Sequence, residues 1–360
     1  MRIVHIIPNL SGGGAERQLG YLAPELVRMG HDVHIAYSKE GPNNPQLPGV
    51  MLHQIRSRSN YDPYLLWQLV RLFRHIKPDV IQTWILQMDI LGGMTARLVG
   101  IPWIFREPSS SLAYISTWKH RLRAQIGSGA YAVVSNSRGG DEYWRGRNNG
   151  RLRRFIIPNA LPLEEIERAV PFPSSEIGGS PDQKIVLYLG RFDKGKNLEG
   201  LVRALVRVSR NPTVVSFLCG DGPMRQAIER MIHEEGLSGR VFLPGYVMNA
   251  WSWMKRADVF VSVSLFEGMP NTVMEAVACG CPVVVSDIPQ HREILDESEA
   301  TYVLPGNPDD IASGIERLLG TREEAKQKAI LAKGRTSEWS ITDMAKRYER
   351  TYLDILDATG

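Results

Sequence analysis

The 360-residue chain reads as an α/β protein made of two doubly wound parallel-sheet domains. Three observations predict it. Short apolar runs alternate with helix-period segments along the chain. The alternation breaks at a Pro-, Gly- and Ser-rich stretch, 171–183, and then restarts; and glycine-rich turns follow apolar runs at four places. The length agrees, since a chain of this size exceeds one ordinary domain and implies about two.

In order, the first series is the apolar run RIVHIIP, the helical pattern AERQLGYLAPELVRMG, the run HDVHIAY, the helix YLLWQLVRLFRHIK, then PDVIQTW, DILGGMTARLVG, WIFRE and AYAVVSNS. Strand, helix and strand joined by short loops make βαβ units, which need a parallel sheet. The second series runs KIVLYLGRF, LEGLVRALVRVS, TVVSFLCG, MRQAIERMIHEEG, RVFLPGY, DVFVSVS, TVMEAVACG, PVVVSD and TYVLPG. A last helix is expected over Ile341 to Leu356, with Ala345, Tyr348, Tyr352, Ile355 and Leu356 as its apolar stripe, returning to the first domain. The expected domains are therefore 1–170 with 341–360, a linker at 171–183, and 184–340.

The four glycine signals are SGGG after RIVHIIP, GRFDKGK after IVLYL, GDGP after VSFLC, and FEGMPN after VFVSV. Open α/β sheets bind ligands beyond the carboxyl ends of their strands, so all four are expected at one cleft. The fourth carries the most chemistry. Glu267 falls in the turn SLFEG and Glu275 on the first turns of the following amphipathic helix. Between them Gly268, Met269, Pro270, Asn271 and Thr272 form a Pro-started helix beginning, whose free N–H groups and dipole favour an anion. A phosphate-binding helix end beside carboxylates that accept from sugar hydroxyls describes a site for a nucleotide sugar. The competing reading is two solvated surface charges, since Glu is common in first turns for dipole reasons alone.

Arg191 and Lys196, in LGRFDKGKNL, follow a strand and precede a helix. Two fixed cations beside a diphosphate would stabilise its charge as it leaves, so no divalent metal is required and no cofactor is expected. Local capping or salt-bridging is the alternative. Gly190 and Gly195 let the backbone come close to a ligand. Gly12, Gly13 and Gly14 form a turn before a helix, but SGGGAERQLG is not the G-x-G-x-x-G dinucleotide fingerprint, which argues against a nicotinamide or flavin enzyme.

Composition excludes other classes. No apolar run reaches 18 residues, and the N-terminus turns polar too soon for a signal peptide, so a cytoplasmic protein is expected. Cys219, Cys279 and Cys281 read as reduced core thiols, without the ligands of a zinc site. Through residue 170 there are 21 Lys and Arg against 13 Asp and Glu, and afterwards 22 against 26, so the first half is the basic one. Nine cations against two acids lie between Lys119 and Arg154. Such a face suits anionic lipid head groups or a diphosphate-linked acceptor, with Trp67 and Phe73 reaching an interface; a solvated basic edge is the alternative, and nucleic acid is not expected.

Together these residues resemble the retaining glycosyltransferases of the GT-B fold, family 4, also called glycosyl transferases group 1. GGGAERQL, PDVIQTW, VVSNS, IIPNALP, GRFDKGKNL, GDGPMRQAIE, VFLPGYV and above all FEGMPNTVMEAVACGCPVVVSDIPQHREI carry the resemblance over nearly the whole chain. It implies two Rossmann-like domains facing across a cleft, with Glu275 on the nucleotide ribose, Glu267 on the donor sugar, and Arg191 and Lys196 on the diphosphate. Backbone groups of Met269 to Thr272 would add contacts, the Gly220 turn would belong to the donor loops, Tyr246 and Val247 would lie by the base, and Gly12 to Gly14 would close over the donor.

The reaction implied is metal-independent hexosyl transfer with retention. The donor would be a nucleoside diphosphate sugar, with uridine diphosphate favoured, and the acceptor a glycan or polyprenyl-diphosphate-linked hydroxyl in bacterial polysaccharide assembly, at the inner face of the membrane. The chain departs from many relatives at Gln82, Thr83 and Trp84 after the PDV strand, and at Arg106 and Glu107 after the next. Trp84, Arg106 and Glu107 are accordingly the expected acceptor contacts, with a structural ion pair as the alternative for the last two. Two other readings compete: a non-catalytic nucleotide-sugar-binding subunit, and a hydrolase or epimerase acting on the nucleotide sugar.

Overall fold

The computed structural model describes residues 1–10, 13–40, 46–56, 62–108, 117–147, 152–173 and 183–358. They divide into two compact units, 1–160 with 339–360, and 161–338.

The first unit runs β1 (Arg2–Asn9), α1 (Gly14–Arg28), β2 (Asp32–Lys39), β3 (Met51–Gln54), α2 (Pro63–Ile76), β4 (Val80–Thr83), α3 (Leu86–Val99), β5 (Trp103–Glu107), α4 (Trp118–Gly127), β6 (Ala132–Ser135), α5 (Arg138–Arg145) and β7 (Arg153–Ile156). Among the described residues it forms a seven-stranded sheet in the order β3-β2-β1-β4-β5-β6-β7, every pairing parallel. β3 and β7 had no apolar run to announce them because they are edge strands: MLHQ and RRFI have exposed or half-buried positions throughout, whereas VIQT and AVVS are buried at every residue. Asp62 starts α2 by accepting from the Tyr64 amide at 3.0 Å, with Pro63 at its first position.

The second unit runs α6 (Leu163–Arg168), β8 (Lys184–Leu189), α7 (Leu198–Val208), β9 (Val214–Cys219), α8 (Arg225–Glu234), β10 (Val241–Gly245), α9 (Ala250–Arg256), β11 (Val259–Ser262), α10 (Asn271–Ala278), β12 (Val283–Ser286), α11 (Pro289–Arg292), β13 (Thr301–Val303), α12 (Pro308–Gly320) and α13 (Arg322–Gly334). Its sheet, again all parallel, is ordered β10-β9-β8-β11-β12-β13. In each sheet the winding reverses beside the first strand, between β1 and β4 and between β8 and β11. These are the points where loops diverge and leave a crevice at the strands' carboxyl ends.

The chain then reaches α14 (Ile341–Leu356), started by Ser340, whose hydroxyl accepts from the Asp343 amide at 3.1 Å. The helix packs on α1 in the first unit. Ala345, Tyr348, Tyr352 and Ile355 of the expected stripe are buried there, joined by Met344 and Thr351, while Leu356 is only half-buried. Each fully buried large side chain is worth about 1.5–3 kcal/mol. His31 and Glu349, 2.8 Å apart, tie the same helix to the start of β2.

Three expectations change. Residues 161–170 belong to the second unit: α6 packs on α10, and Glu167 pairs with Lys333 at 2.9 Å. The first described residues of the expected linker are also fixed there, since Phe172 stacks on Trp253 with ring centroids 4.6 Å apart and donates its amide to the Ser252 carbonyl at 2.9 Å; residues 174–182 lie outside the described residues. Phe73 is buried in the core between α2 and the sheet, so only Trp67 of the expected pair is exposed. Arg123 is likewise inside, so the nine cations between Lys119 and Arg154 do not make one face. The three cysteines are free thiols; Cys219 and Cys281 are buried and Cys279 half-buried.

Candidate functional site

β8 and β11 are hydrogen-bonded neighbours, and the loops leaving their carboxyl ends carry Arg191, Lys196 and Glu267. After β8 the chain passes Gly190 to Asp193, makes a 3-10 turn at Lys194–Lys196, and reverses at Asn197, a left-handed residue with φ 54°. Asn tolerates that conformation better than most side chains. The Asn197 amide nitrogen donates to the Val263 carbonyl at 3.2 Å and to Pro305 at 2.7 Å, so the reversal is pinned to the end of β11. Leu265 N–H donates to the Gly195 carbonyl at 2.8 Å, which fastens the two loops together.

Within that frame Lys196 Nζ lies 2.6 Å from Glu267 Oε1, and Ser264 Oγ donates to the same oxygen at 2.7 Å. Both described donors use Oε1. Lys196 retains partial solvent exposure and Arg191 is exposed, with no ion-pair partner among the described residues. Tyr188 fixes the Arg191 backbone by donating its hydroxyl to the Arg191 carbonyl at 3.0 Å. Burial, with Glu267 and Asp193 nearby, pushes the Tyr188 hydroxyl far above the usual range and keeps it a donor.

The glycines expected to admit a ligand are first required by the protein itself. A Cβ at Gly190 would come within 2.7 Å of the Tyr188 hydroxyl, and one at Gly195 within 2.9 Å of the Phe266 ring. Gly220, at φ 141°, lies against the Gly190 carbonyl, with no room between them for a side chain. Phe192 N–H donates to Asp221 at 2.8 Å and Met224 N–H to Phe192 at 2.9 Å, so the turn after β9 buttresses the loop after β8.

α10 begins beside Glu267. Asn271 N–H turns back to Met269 at 2.9 Å, and Val273 and Met274 both donate to Pro270, at 3.0 and 3.1 Å; the Thr272 amide has no backbone acceptor among the described residues. This is the open first turn that an anion can use. Gly268, Asn271 and Thr272 are half-buried, Met269 and Pro270 are buried, and Glu275 is only 4% exposed on the same helix. Beyond β10, Tyr246 is exposed and Val247 half-buried.

Comparison with known proteins bears on this arrangement. Residues 174–335 match the family described as glycosyl transferases group 1, and residues 12–165 match glycosyltransferase family 4. The lipopolysaccharide core biosynthesis glycosyltransferase LpsD of Rhizobium meliloti is 31% identical over 369 residues, covering 99% of this chain and 98% of that protein. The chain belongs to the group 1, family 4 glycosyltransferases.

The glycosyltransferase is also 25% identical to the N-acetylgalactosamine-N,N'-diacetylbacillosaminyl-diphospho-undecaprenol 4-alpha-N-acetylgalactosaminyltransferase of Campylobacter jejuni, over 92% of this chain and 93% of that one. Its fold is the GT-B fold, matching Anabaena HepE solved in complex with UDP and glucose at a TM-score of 0.85 and 18% identity, with 98% of this chain and 100% of that one covered.

In the first unit of the glycosyltransferase, the three residues expected to contact the acceptor are all buried. Trp84 is 0% exposed, and its indole N–H donates to His5 Nδ1 at 3.2 Å. Arg106 is 2% exposed, stacked over Trp84 at 4.7 Å and bonded to Asn159 Oδ1. Glu107 takes the structural alternative: Arg123 Nη1 lies 2.6 Å away and Trp144 Nε1 donates at 2.9 Å, while Asp89 holds Arg123 Nε at 2.7 Å. Desolvation raises the Asp89 carboxyl to about 6 despite that guanidinium. Gly13 caps α1 and Gly14 opens it; a side chain at Gly13 would strike the Glu16 carboxylate. Gly12 lies outside the described residues.

Sequence reasoning passed over His291. It lies on α11, is fully buried, and places Nδ1 2.8 Å from the Ser286 carbonyl and 3.2 Å from Ser286 Oγ. Its segment, DIPQHREI, closes the most specific motif of the chain, but nothing in the spacing pairs a histidine there with Glu267. A cavity of about 740 Å³ also opens in the second unit, at the opposite, amino-terminal edge of the sheet, near Lys184, Asp258 and Pro282. Of its cations, Lys184 donates to Leu319 at 2.5 Å, Lys255 to the Glu167 carbonyl at 2.7 Å, and Lys333 to the Glu167 carboxylate.

Proposed function

We propose that the enzyme transfers a hexose-like unit, with retention of anomeric configuration, from a nucleoside diphosphate sugar, UDP being the favoured carrier, to a hydroxyl of a glycan or a polyprenyl-diphosphate-linked acceptor in bacterial surface-polysaccharide assembly. The observation that carries this reading is the convergence, at the β8/β11 switch point, of exposed Arg191, the Lys196–Glu267 pair and the open first turn of α10. In the proposed reaction the acceptor oxygen bonds to the anomeric carbon on the face from which the diphosphate departs. The bond from carbon to diphosphate oxygen breaks, its electron pair stays on the diphosphate, and the acceptor proton passes to a diphosphate oxygen.

Arg191, Lys196 and the α10 amides stabilise the growing negative charge, the term that lowers the barrier in such a transfer. That role makes a divalent cation unnecessary. Glu267 orients the sugar through hydroxyl hydrogen bonds, and Glu275 takes the ribose. The acceptor class is suggested by the Campylobacter jejuni relative, whose name specifies a diphospho-undecaprenol substrate.

Peripheral contact with an anionic membrane belongs to the same reading. Tyr64 and Trp67 stack at 5.4 Å on the exposed side of α2 with Arg71 over the indole, and Trp118 on α4 is exposed beside Lys119. Among the described residues no helix is long and apolar enough to cross a membrane.

The test is product formation from a panel of nucleotide sugars and lipid-linked acceptors, with and without EDTA, followed by the anomeric coupling in the product. Acceptor-dependent turnover, insensitive to EDTA and with the donor's configuration kept, is expected. Inversion or EDTA-sensitive turnover would remove those parts of the reading. Rapid product formation without an acceptor would instead mark a hydrolase or epimerase.

A further inference from the structure

The Lys196–Glu267 pair stands at the end of a continuous hydrogen-bonded chain. Ser264 Oγ donates to Glu267 Oε1 at 2.7 Å; the Ser264 carbonyl accepts from Ser286 Oγ at 2.6 Å; and His291 Nδ1 faces the Ser286 carbonyl at 2.8 Å and Ser286 Oγ at 3.2 Å. The donor directions follow from the groups. A carbonyl only accepts, so His291 must carry its proton on Nδ1, and the Ser286 hydroxyl, already donating to Ser264, accepts a share of it. The links span the ends of β11 and β12 and the short helix α11, and Ser264, Ser286 and His291 are all buried.

We propose that His291, Ser286 and Ser264 form a positioning relay that fixes the β11 loop so that Glu267 keeps Oε1 on Lys196 and presents Oε2 to the donor sugar. This rests on the reading of Glu267 as a sugar contact. His291 holds Ser286, Ser286 holds the Ser264 carbonyl, and the backbone so fixed aims the Ser264 hydroxyl at the carboxylate. A contact acting at the reacting centre must be held to within about half an ångström, which a mobile loop glutamate on its own would not achieve. Desolvation lowers the imidazole's proton affinity, so the ring remains neutral and its Nδ1–H stays directed at Ser286. The role is positioning and not acid–base: along the hydrogen-bonded path Ser286 and Ser264 stand between the ring and Glu267, and the link between those two serines runs through the Ser264 carbonyl, which carries no proton.

The chemistry gives a discriminating pair of substitutions. In His291→Asn the amide nitrogen can take the place of Nδ1 and donate to Ser286, whereas in His291→Gln the amide reaches toward the place of Nε2. His291→Asn should keep kcat with the nucleotide sugar within about threefold of the native enzyme, while His291→Gln and Ser264→Ala each lower it about tenfold or more, with affinity for the free nucleoside diphosphate unchanged. In a Glu267→Gln background His291→Gln should add little, because both act through one carboxylate.

Equal losses in the Asn and Gln variants, or additive losses with Glu267→Gln, would overturn the relay and leave His291 as core packing. Ser264→Ala, which removes one oxygen, keeps the test sound if a histidine variant folds poorly, and full activity in it would also overturn the proposal. A readout independent of turnover is the two-bond proton–nitrogen spectrum of the histidine rings, with the His291 signals assigned by their loss in His291→Asn. The Nδ1–H tautomer is expected, and the Nε2–H tautomer would contradict the relay. Absence of nucleotide-sugar turnover in the native enzyme would fall on the functional reading instead, and the tautomer would still judge the relay.

Discussion

Single residues divide into those whose placement the sequence could state and those whose neighbours decided it. Arg191, Lys196 and Glu267 belong to the first kind, since each lies in the loop that leaves β8 or β11 and strand ends at a switch point converge; Glu275 follows further on, in α10. Arg191→Ala should lower kcat about 10²-fold with a smaller change in donor affinity, because the charge it meets grows in the transition state; a change confined to KM would contradict that role.

Trp84, Arg106 and Glu107 belong to the second kind. Their positions in sequence pointed to an acceptor, but Arg123, 16 residues beyond Glu107, reaches its carboxylate, and Asn159 binds Arg106 from 53 residues away. Such partners leave no local pattern to read.

His5 was equally silent. Buried beside Trp84, it is held by desolvation down to about 3, against an ordinary value near 6.5. Above pH 6.5 both folded and unfolded chains are neutral there, and the group contributes no slope. As pH falls toward 3 the unfolded chain takes a proton that the folded one refuses, so stability drops by at most about 1.4 kcal/mol per pH unit. Urea unfolding at pH 7 and pH 5 should show His5→Asn losing less stability than the native protein over that interval; parallel losses would place the acid sensitivity elsewhere.

At the scale of elements, α14 was legible because a long helix with an apolar stripe must cover something, and its bounds, Ile341–Leu356, agree with the stripe. Its partner was legible only as a suspicion; the contact is made by Tyr348 and Tyr352 entering the first unit's core, with Tyr352 donating to Gln82. β3 and β7 stayed hidden because edge strands need no continuous apolar run. α4 was hidden for another reason. Its pattern looks like a basic surface, yet Arg123 on it is the buried counter-charge to Asp89 and Glu107.

Replacing that arginine leaves two carboxylates without their cation in a dry core. Breaking a buried pair in this way costs about 3–5 kcal/mol, so Arg123→Met should lower the urea midpoint of the whole protein sharply, whereas Arg121→Met, on the exposed side of the same helix, should leave it nearly unchanged. Equal midpoints for the two variants would show that the pair does not carry the element.

For the whole molecule, the alternation of strands and helices stated the fold class, and the restart after the Pro-, Gly- and Ser-rich stretch stated the number of units. The boundary was misplaced by about ten residues because α6 is charged on most of its surface and attaches through Glu167 and Ile166, features indistinguishable in sequence from the end of the first domain. The uneven charge was real but did not form one face, since Arg123 is internal and Arg154 pairs with Asp141 at 2.8 Å. What survives is two exposed aromatic and basic clusters, one on α2 and one on α4, and a separate cluster at the carboxyl-terminal edge of the second sheet, to which the proposal assigns the enzyme's chemistry.

That assignment is tested most directly by the melting temperature of the native protein and of Glu275→Ala with UDP, GDP and ADP in EDTA. A ligand at about 100 times its Kd adds roughly 2.7 kcal/mol of stability, enough to read as a shift of a few degrees. The account predicts that one nucleoside diphosphate raises the melting temperature of the native protein without metal and that Glu275→Ala loses most of that shift. No shift with any of the three, or an equal shift in the variant, would contradict a nucleotide site at α10.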